Sequence, residues 1–182
     1  MREFRVFAFG TANNIPTLLY WVLLAVFIIG IITFLWKKGM KQGLRSIAVL
    51  LLAEWVSLII CSTFIFREVH AEREFHIKPL WSYFDYANNS YFMEMAALNI
   101  LNVLLFVPIG LLLGCGYRTI TWRKAMAVGL LLSASIELLQ LIFKKGLCEI
   151  DDVIHNVLGC MIGYGVAFLI KRIGAKLTQI PN

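Results

Sequence analysis

Of the four carboxylates in one stretch of the chain, SIELLQLIFKKGLCEIDDVIHN, three are singled out beside its long apolar runs: Glu137, Asp151 and Asp152. Gln140, His155 and Asn156 are close by in sequence. Paired carboxylates at a suitable separation can act as general acid and base. Oxygen ligands of this kind also suit a hard divalent cation such as Mg²⁺ or Ca²⁺. A cation at Glu137, Asp151 and Asp152 is therefore one reading. Beyond it no cofactor is expected, and nothing in the chain has the form of a dedicated nucleophile motif. Cys61, Cys115, Cys148 and Cys160 show no CxxC spacing, and three of them lie inside apolar runs. They read as small hydrophobes, with no disulfide framework and no zinc site.

The elements that must carry these acids are apolar. The chain has 182 residues, of which 60% are hydrophobic and 15% charged. A soluble domain has about 45–50% apolar and about 25% charged residues. A mean hydropathy of +0.78 adds to the contrast. The composition implies an all-α integral membrane protein, and the length allows one membrane domain over 1–182. Runs at 15–36, 44–66, 98–117, 122–143 and 151–171 are each long enough to cross about 30 Å of hydrocarbon. Helices are the spanning form such continuous apolarity allows. The expectation is a bundle of about five transmembrane helices. Arg2 and Arg5 precede the first run as in a signal peptide, but the run is too long and lacks a cleavage site, so it reads as a retained span.

Basic residues orient the bundle. Lys37, Lys38, Lys41, Arg45, Arg118, Arg123, Lys124, Lys171, Arg172 and Lys176 fall in alternate connections and the tail. The positive-inside rule puts these in the cytoplasm, with the N-terminus outside and the C-terminus inside. The one long loop, 67–97, is then outside. Its first part, REVHAEREFHIKP, is charged and could form an amphipathic helix. Its second part, LWSYFDYANNSYFMEM, is rich in aromatics. Trp81 and Tyr83 there would sit in an interfacial belt or form a rim against a lipid head group or sugar. Asn88, Asn89 and Ser90 match a glycosylation sequon, which matters only on a eukaryotic secretory route.

Three polar stripes align in depth. Ser133, Glu137, Gln140 and Lys144 share one helical face. Asp152, Asn156, Gly159 and Gly163 share another, and Asn99, Asn102, Phe106, Gly110 and Gly114 a third. In each of the last two the polar groups are outermost and the small residues deeper. The pattern implies a tight helix contact opening into a polar pocket on the outer face. An ionisable residue within a span is a functional-site hypothesis by default. Helix capping, or a hydrogen bond between helices, is the structural alternative. Arg67 or Arg73 could pair with the acids. Pro108 should bend its helix, leaving a carbonyl for neighbours to satisfy. Glu54, near the centre of the second run, has no evident partner.

LNILNVLLFVPIG, SIELLQ and EIDDVIHNVLGCMIGY together resemble the VanZ-like family. The matching positions are Asn102, Phe106, Pro108, Gly110, Glu137, Gln140, Asp151, Asp152, Asn156, Gly159 and Gly163. The chain departs from the family pattern in the loop, where HIKPLW keeps only Pro79, and in GLCEIDD, which lacks an Arg. That family is named for a protein linked to teicoplanin resistance in Gram-positive bacteria. The resemblance implies a multi-pass protein of the bacterial plasma membrane acting at the cell envelope. Three functions fit. The pocket, with Arg67, Asn102, Glu137, Gln140, Asp151, Asp152 and Asn156, could bind an amphiphile such as a lipid-linked wall precursor or a lipoglycopeptide. The carboxylates could instead serve a membrane enzyme acting on such a lipid. The chain could also be a structural partner of another membrane complex. Membrane lipids are expected partners and nucleic acids are not. The oligomeric state stays open, because GxxxG patterns serve internal packing and dimerisation alike.

Overall fold

The computed structural model describes residues 40–86, 91–117 and 119–177. The expected first span at 15–36 lies outside these, as do Arg2, Arg5, Lys37, Lys38, Arg118 and the sequon. The described elements are α1 (Met40–Ile60), β1 (Glu74–His76), α2 (Trp81–Tyr86), α3 (Phe92–Gly116), α4 (Trp122–Phe143), β2 (Leu147–Glu149) and α5 (Ile150–Leu177). Among the described residues four helices are long and apolar enough to cross a membrane: Ser46–Ile65, Phe92–Gly116, Trp122–Phe143 and Ile150–Lys176. Each turns large apolar side chains outward, including Ile65, Leu104, Leu131 and Ile170. Helices hydrophobic all round belong in hydrocarbon. The chain is an all-α membrane protein. α3 begins ahead of the expected 98–117 stretch and α5 continues past 151–171, because helical hydrogen bonding persists where hydropathy declines.

The core is built by four helices around Ile59, Phe106, Ile109, Leu113, Ile136 and Cys160. α3 and α5 make the closest contact. A Cβ on Gly110 would lie 1.8 Å from the Cys160 carbonyl oxygen. One on Gly159 would lie 2.0 Å from the Val103 oxygen, and one on Gly163 1.9 Å from that of Val107. The two backbones therefore touch directly, which only glycine permits. Without a hydrophobic drive between helices in lipid, this dense packing is a main source of cohesion. Pro108 lies inside α3. Its ring crowds the preceding turn and removes an N–H. In that turn the Trp55 indole donates to the Leu105 carbonyl at 2.9 Å.

α1 ends in a π-helical turn, Cys61–Ile65, closed by the Phe66 N–H on the Cys61 carbonyl at 3.0 Å. Wide turns of this kind leave carbonyls for other partners. Gln140 Nε2 donates to the Thr63 carbonyl at 2.8 Å and Lys145 Nζ to that of Ile65 at 2.9 Å, both from the end of α4. α4 starts with the Thr121 side chain accepting from the Lys124 N–H and stops at Lys144, which is left-handed at φ 57°.

The loop after α1 differs from expectation. Its charged first part forms no amphipathic helix. Glu74–His76 is a strand, paired in parallel with Leu147–Glu149. The reason is long-range: the hairpin between α4 and α5 presents an extended edge, and Pro79 disfavours helix just upstream.

The glycine contact gives a matched test. Gly163→Ala places a methyl against a backbone oxygen and should lower stability by about 1–3 kcal/mol, the cost of overpacking. Gly165 has nothing within 4 Å of its would-be Cβ. Gly165→Ala should leave stability unchanged or raise it by up to about 1 kcal/mol through helix propensity. Thermal unfolding of both variants in detergent checks the pair.

Candidate functional site

The α4–α5 hairpin brings the acids to the start of α5. Asp151 and Asp152 occupy its first turn. Glu137, reaching across from α4, accepts the Glu149 N–H at 2.9 Å. All three carboxylates thus gather where unpaired N–H groups and the positive end of the helix dipole favour negative charge.

From there their tasks diverge. Asp151 is only 1% exposed and faces the loop. It accepts from the Leu80 N–H, from the Ser82 N–H at 3.3 Å and from the Ser82 hydroxyl at 2.8 Å. It caps α2 and holds Leu80, a non-glycine residue at φ 60°. Such a conformation persists only when its surroundings over-determine it. Asn99 Nδ2 extends the chain to the Ser82 oxygen at 3.0 Å. Asp152 turns the other way and accepts from Asn102 Nδ2 at 2.6 Å.

Asp152 borders a cavity of about 380 Å³ between α1, α3, α4 and the start of α5. Arg67, Asn102, Glu137, Gln140 and Asn156 line the same end. Trp55, Ile59, Leu101, Leu104, Leu105, Phe106 and Ile136 supply its apolar wall, and Ser62 and Thr63 complete the lining. Six of the seven residues expected at a ligand pocket therefore meet, and Asp151 does not join them. Asp151 is turned away from Glu137 and Asp152, its two oxygens accepting from Leu80 and Ser82. Among the described residues no three of His, Cys, Asp and Glu converge as metal ligands do.

Trp81 and Tyr83 are also placed differently from an open aromatic rim. Trp81 is buried, stacked on His76 with ring centroids 4.2 Å apart. The Tyr83 hydroxyl pairs with His155 Nε2 at 2.8 Å. Neither lines the cavity. Tyr83 fastens the loop to α5 through His155, and Trp81 packs within the loop against His76. Glu54 is half-buried on α1, away from the cavity wall.

Arg67 is the cation in electrostatic range of Glu137, Glu149 and Asp152, while Arg73 is exposed. Its guanidinium lies over Gly146, where a Cβ would sit 2.1 Å from Nη1. Gly146 also has φ +124°, so the turn requires glycine twice over. Sequence reading missed Glu149, which looks like an ordinary turn residue. Burial, then Asp152 and Asp151, push its carboxyl up to about 8, against opposing help from the Trp81 indole and Arg67. The Cys148 thiol is pushed up as well, by burial and then by Glu137, Asp152 and Glu149. The apolar wall at Trp55 and Ile59 was also missed, since nothing in its sequence distinguishes it from lipid-facing surface.

The VanZ/LLP1 family model matches residues 17–171. The chain belongs to this VanZ-like family. Protein VanZ of Enterococcus faecium is 39% identical over 69 residues, covering 36% of this chain. The chain spans 43% of that relative's own length. No solved structure matches. For this VanZ-like chain, eight of the eleven family-resembling positions fall into two groups. Gly110, Gly159 and Gly163 bring α3 and α5 together, and Asn102, Glu137, Gln140, Asp152 and Asn156 border the cavity beside that contact.

The raised Glu149 carboxyl has a measurable consequence. Facing it are Asp151 and Asp152 from α5, Arg67, the Trp81 indole, and Glu137 through its own N–H, with His76 across the strand pair. Unfolded, a glutamate ionises near 4.5, and here it ionises near 8. Between those values the folded chain holds more protons, so stability falls as pH rises. The melting temperature should drop between pH 5 and pH 8, and Glu149→Gln should flatten that drop and melt higher than wild type at pH 8.

Proposed function

We propose that this VanZ-like chain is a bacterial plasma-membrane protein whose cavity binds an amphiphile at the outer face, with its N-terminus outside and C-terminus in the cytoplasm. The carrying observation is that one cavity joins a polar end, at Arg67, Asn102, Glu137 and Asp152, to an apolar wall at Trp55, Ile59 and Phe106. Ligand sites are commonly concave and mostly apolar, with a few convergent polar groups that fix orientation. A lipid-linked wall precursor or a lipoglycopeptide such as teicoplanin has both parts. Binding such a molecule at the envelope would contribute to glycopeptide resistance. The bias of Lys and Arg toward alternate connections supports the orientation. The buried acids support a ligand role, since an ionisable group in a span is costly to keep.

The test combines phenotype and binding. Glu137→Gln and Asp152→Asn should reach the membrane at wild-type levels yet weaken amphiphile binding roughly 10- to 150-fold. That range follows from losing a charged hydrogen bond of about 1.5–3 kcal/mol. Cells carrying either variant should regain teicoplanin sensitivity. Full protection from both variants would refute the reading. Turnover of a labelled lipid by the purified protein would move it to an enzyme.

A further inference from the structure

The cavity's polar end is unequal in donors and acceptors. Gln140 is 3% exposed and Asn156 6%, and both border the cavity. Gln140 Oε1 and Asn156 Oδ1 have no hydrogen-bond partner among the described residues. The orientation of Gln140 is fixed, because its amide nitrogen must face the Thr63 carbonyl, which can only accept. Buried polar atoms are nearly always paired, so such exceptions call for a ligand or other donor.

Each neighbouring amide nitrogen has one of its two N–H groups engaged. Gln140 Nε2 is on Thr63, Asn156 Nδ2 on Ser133 at 2.9 Å, Asn102 Nδ2 on Asp152, and the Glu149 N–H on Glu137. Arg67 faces three carboxyl groups, those of Glu137, Glu149 and Asp152. A phosphate entering here would meet the Glu137 and Asp152 carboxyls and two unpaired amide oxygens beside Arg67. A group bringing several donors and a positive charge would satisfy both.

We infer that the polar end of the cavity recognises the protonated primary amine of an amphiphile, held between the Glu137 and Asp152 carboxylates and the Gln140 and Asn156 amide oxygens. An ammonium group carries three donors and no acceptor. Its hydrocarbon neighbour would then lie along Trp55, Ile59 and Phe106. A quaternary ammonium has the charge without the donors and should be refused. A bare metal ion is disfavoured by the divided carboxylates and by a cavity far larger than an ion. The inference rests on the amphiphile reading and names the head group it selects.

The test uses the full chain in phosphatidylcholine nanodiscs, titrated with hexylammonium, hexyltrimethylammonium, hexyl phosphate and, separately, Ca²⁺. Tryptophan fluorescence and thermal stabilisation report binding. Hexylammonium should bind at least about tenfold more tightly than the other two amphiphiles, the loss expected for unmade charged hydrogen bonds. Asp152→Asn and Glu137→Gln should each erase that preference. The ligand series on the unaltered protein stands even where a variant folds poorly. Equal or tighter binding of hexyl phosphate overturns the amine inference and leaves the amphiphile reading intact. Equal binding of hexyltrimethylammonium overturns it too, showing charge without donor recognition. Ca²⁺ that binds alone and blocks hexylammonium overturns it in favour of a metal site. Failure of all three amphiphiles overturns both readings.

Discussion

The backbones of α3 and α5 touch because Gly110, Gly159 and Gly163 have no side chains to hold them apart. The contact sets the depth of everything near it. Val103, whose carbonyl meets Gly159, follows Asn102 in α3, and Asn102 holds Asp152 at the start of α5. A wider spacing would separate that pair. It would also leave the cavity open on a side that α5 now closes. Packing of small residues thus does two jobs, cohesion in lipid and registration of polar groups.

The acids at the top of α5 are tolerable for reasons local to that end. The helix N-terminus supplies N–H groups and a favourable dipole. Asp151 is engaged by Leu80 and Ser82, and Arg67 faces Glu137, Glu149 and Asp152. Glu149 adapts in another way, by holding its proton near neutral pH. What is left unmatched is a set of acceptors at one end of an otherwise apolar cavity. That imbalance, more than the acids themselves, gives the site its chemical character.

Much of this arrangement was legible in the sequence because it depends on periodicity. The stripes through Asn102, Glu137, Asp152 and Asn156 follow from helical spacing and from the direction of each span, and hydropathy marks the helices themselves. Other features depend on partners distant in sequence. Glu74–His76 became a strand because an edge at Leu147–Glu149 lay beside it. Trp81 and Tyr83 read as interfacial by composition, and their partners, His76 stacked on Trp81 and His155 bonded to Tyr83, were not visible there. Asp151 and Asp152 are indistinguishable as adjacent residues. A helix points them in different directions, one to the loop and one to the cavity. The apolar wall at Trp55 and Ile59 left no trace, since core-facing and lipid-facing hydrophobes read alike.

An experimental density map of the protein in a native-lipid nanodisc tests the central claim most directly. The account predicts elongated density in the cavity, its polar end within hydrogen-bond reach of Asp152, Gln140 and Asn156 and its tail along Trp55 and Phe106. Side chains of this protein packed into that space, with Gln140 Oε1 and Asn156 Oδ1 satisfied by them, would contradict it.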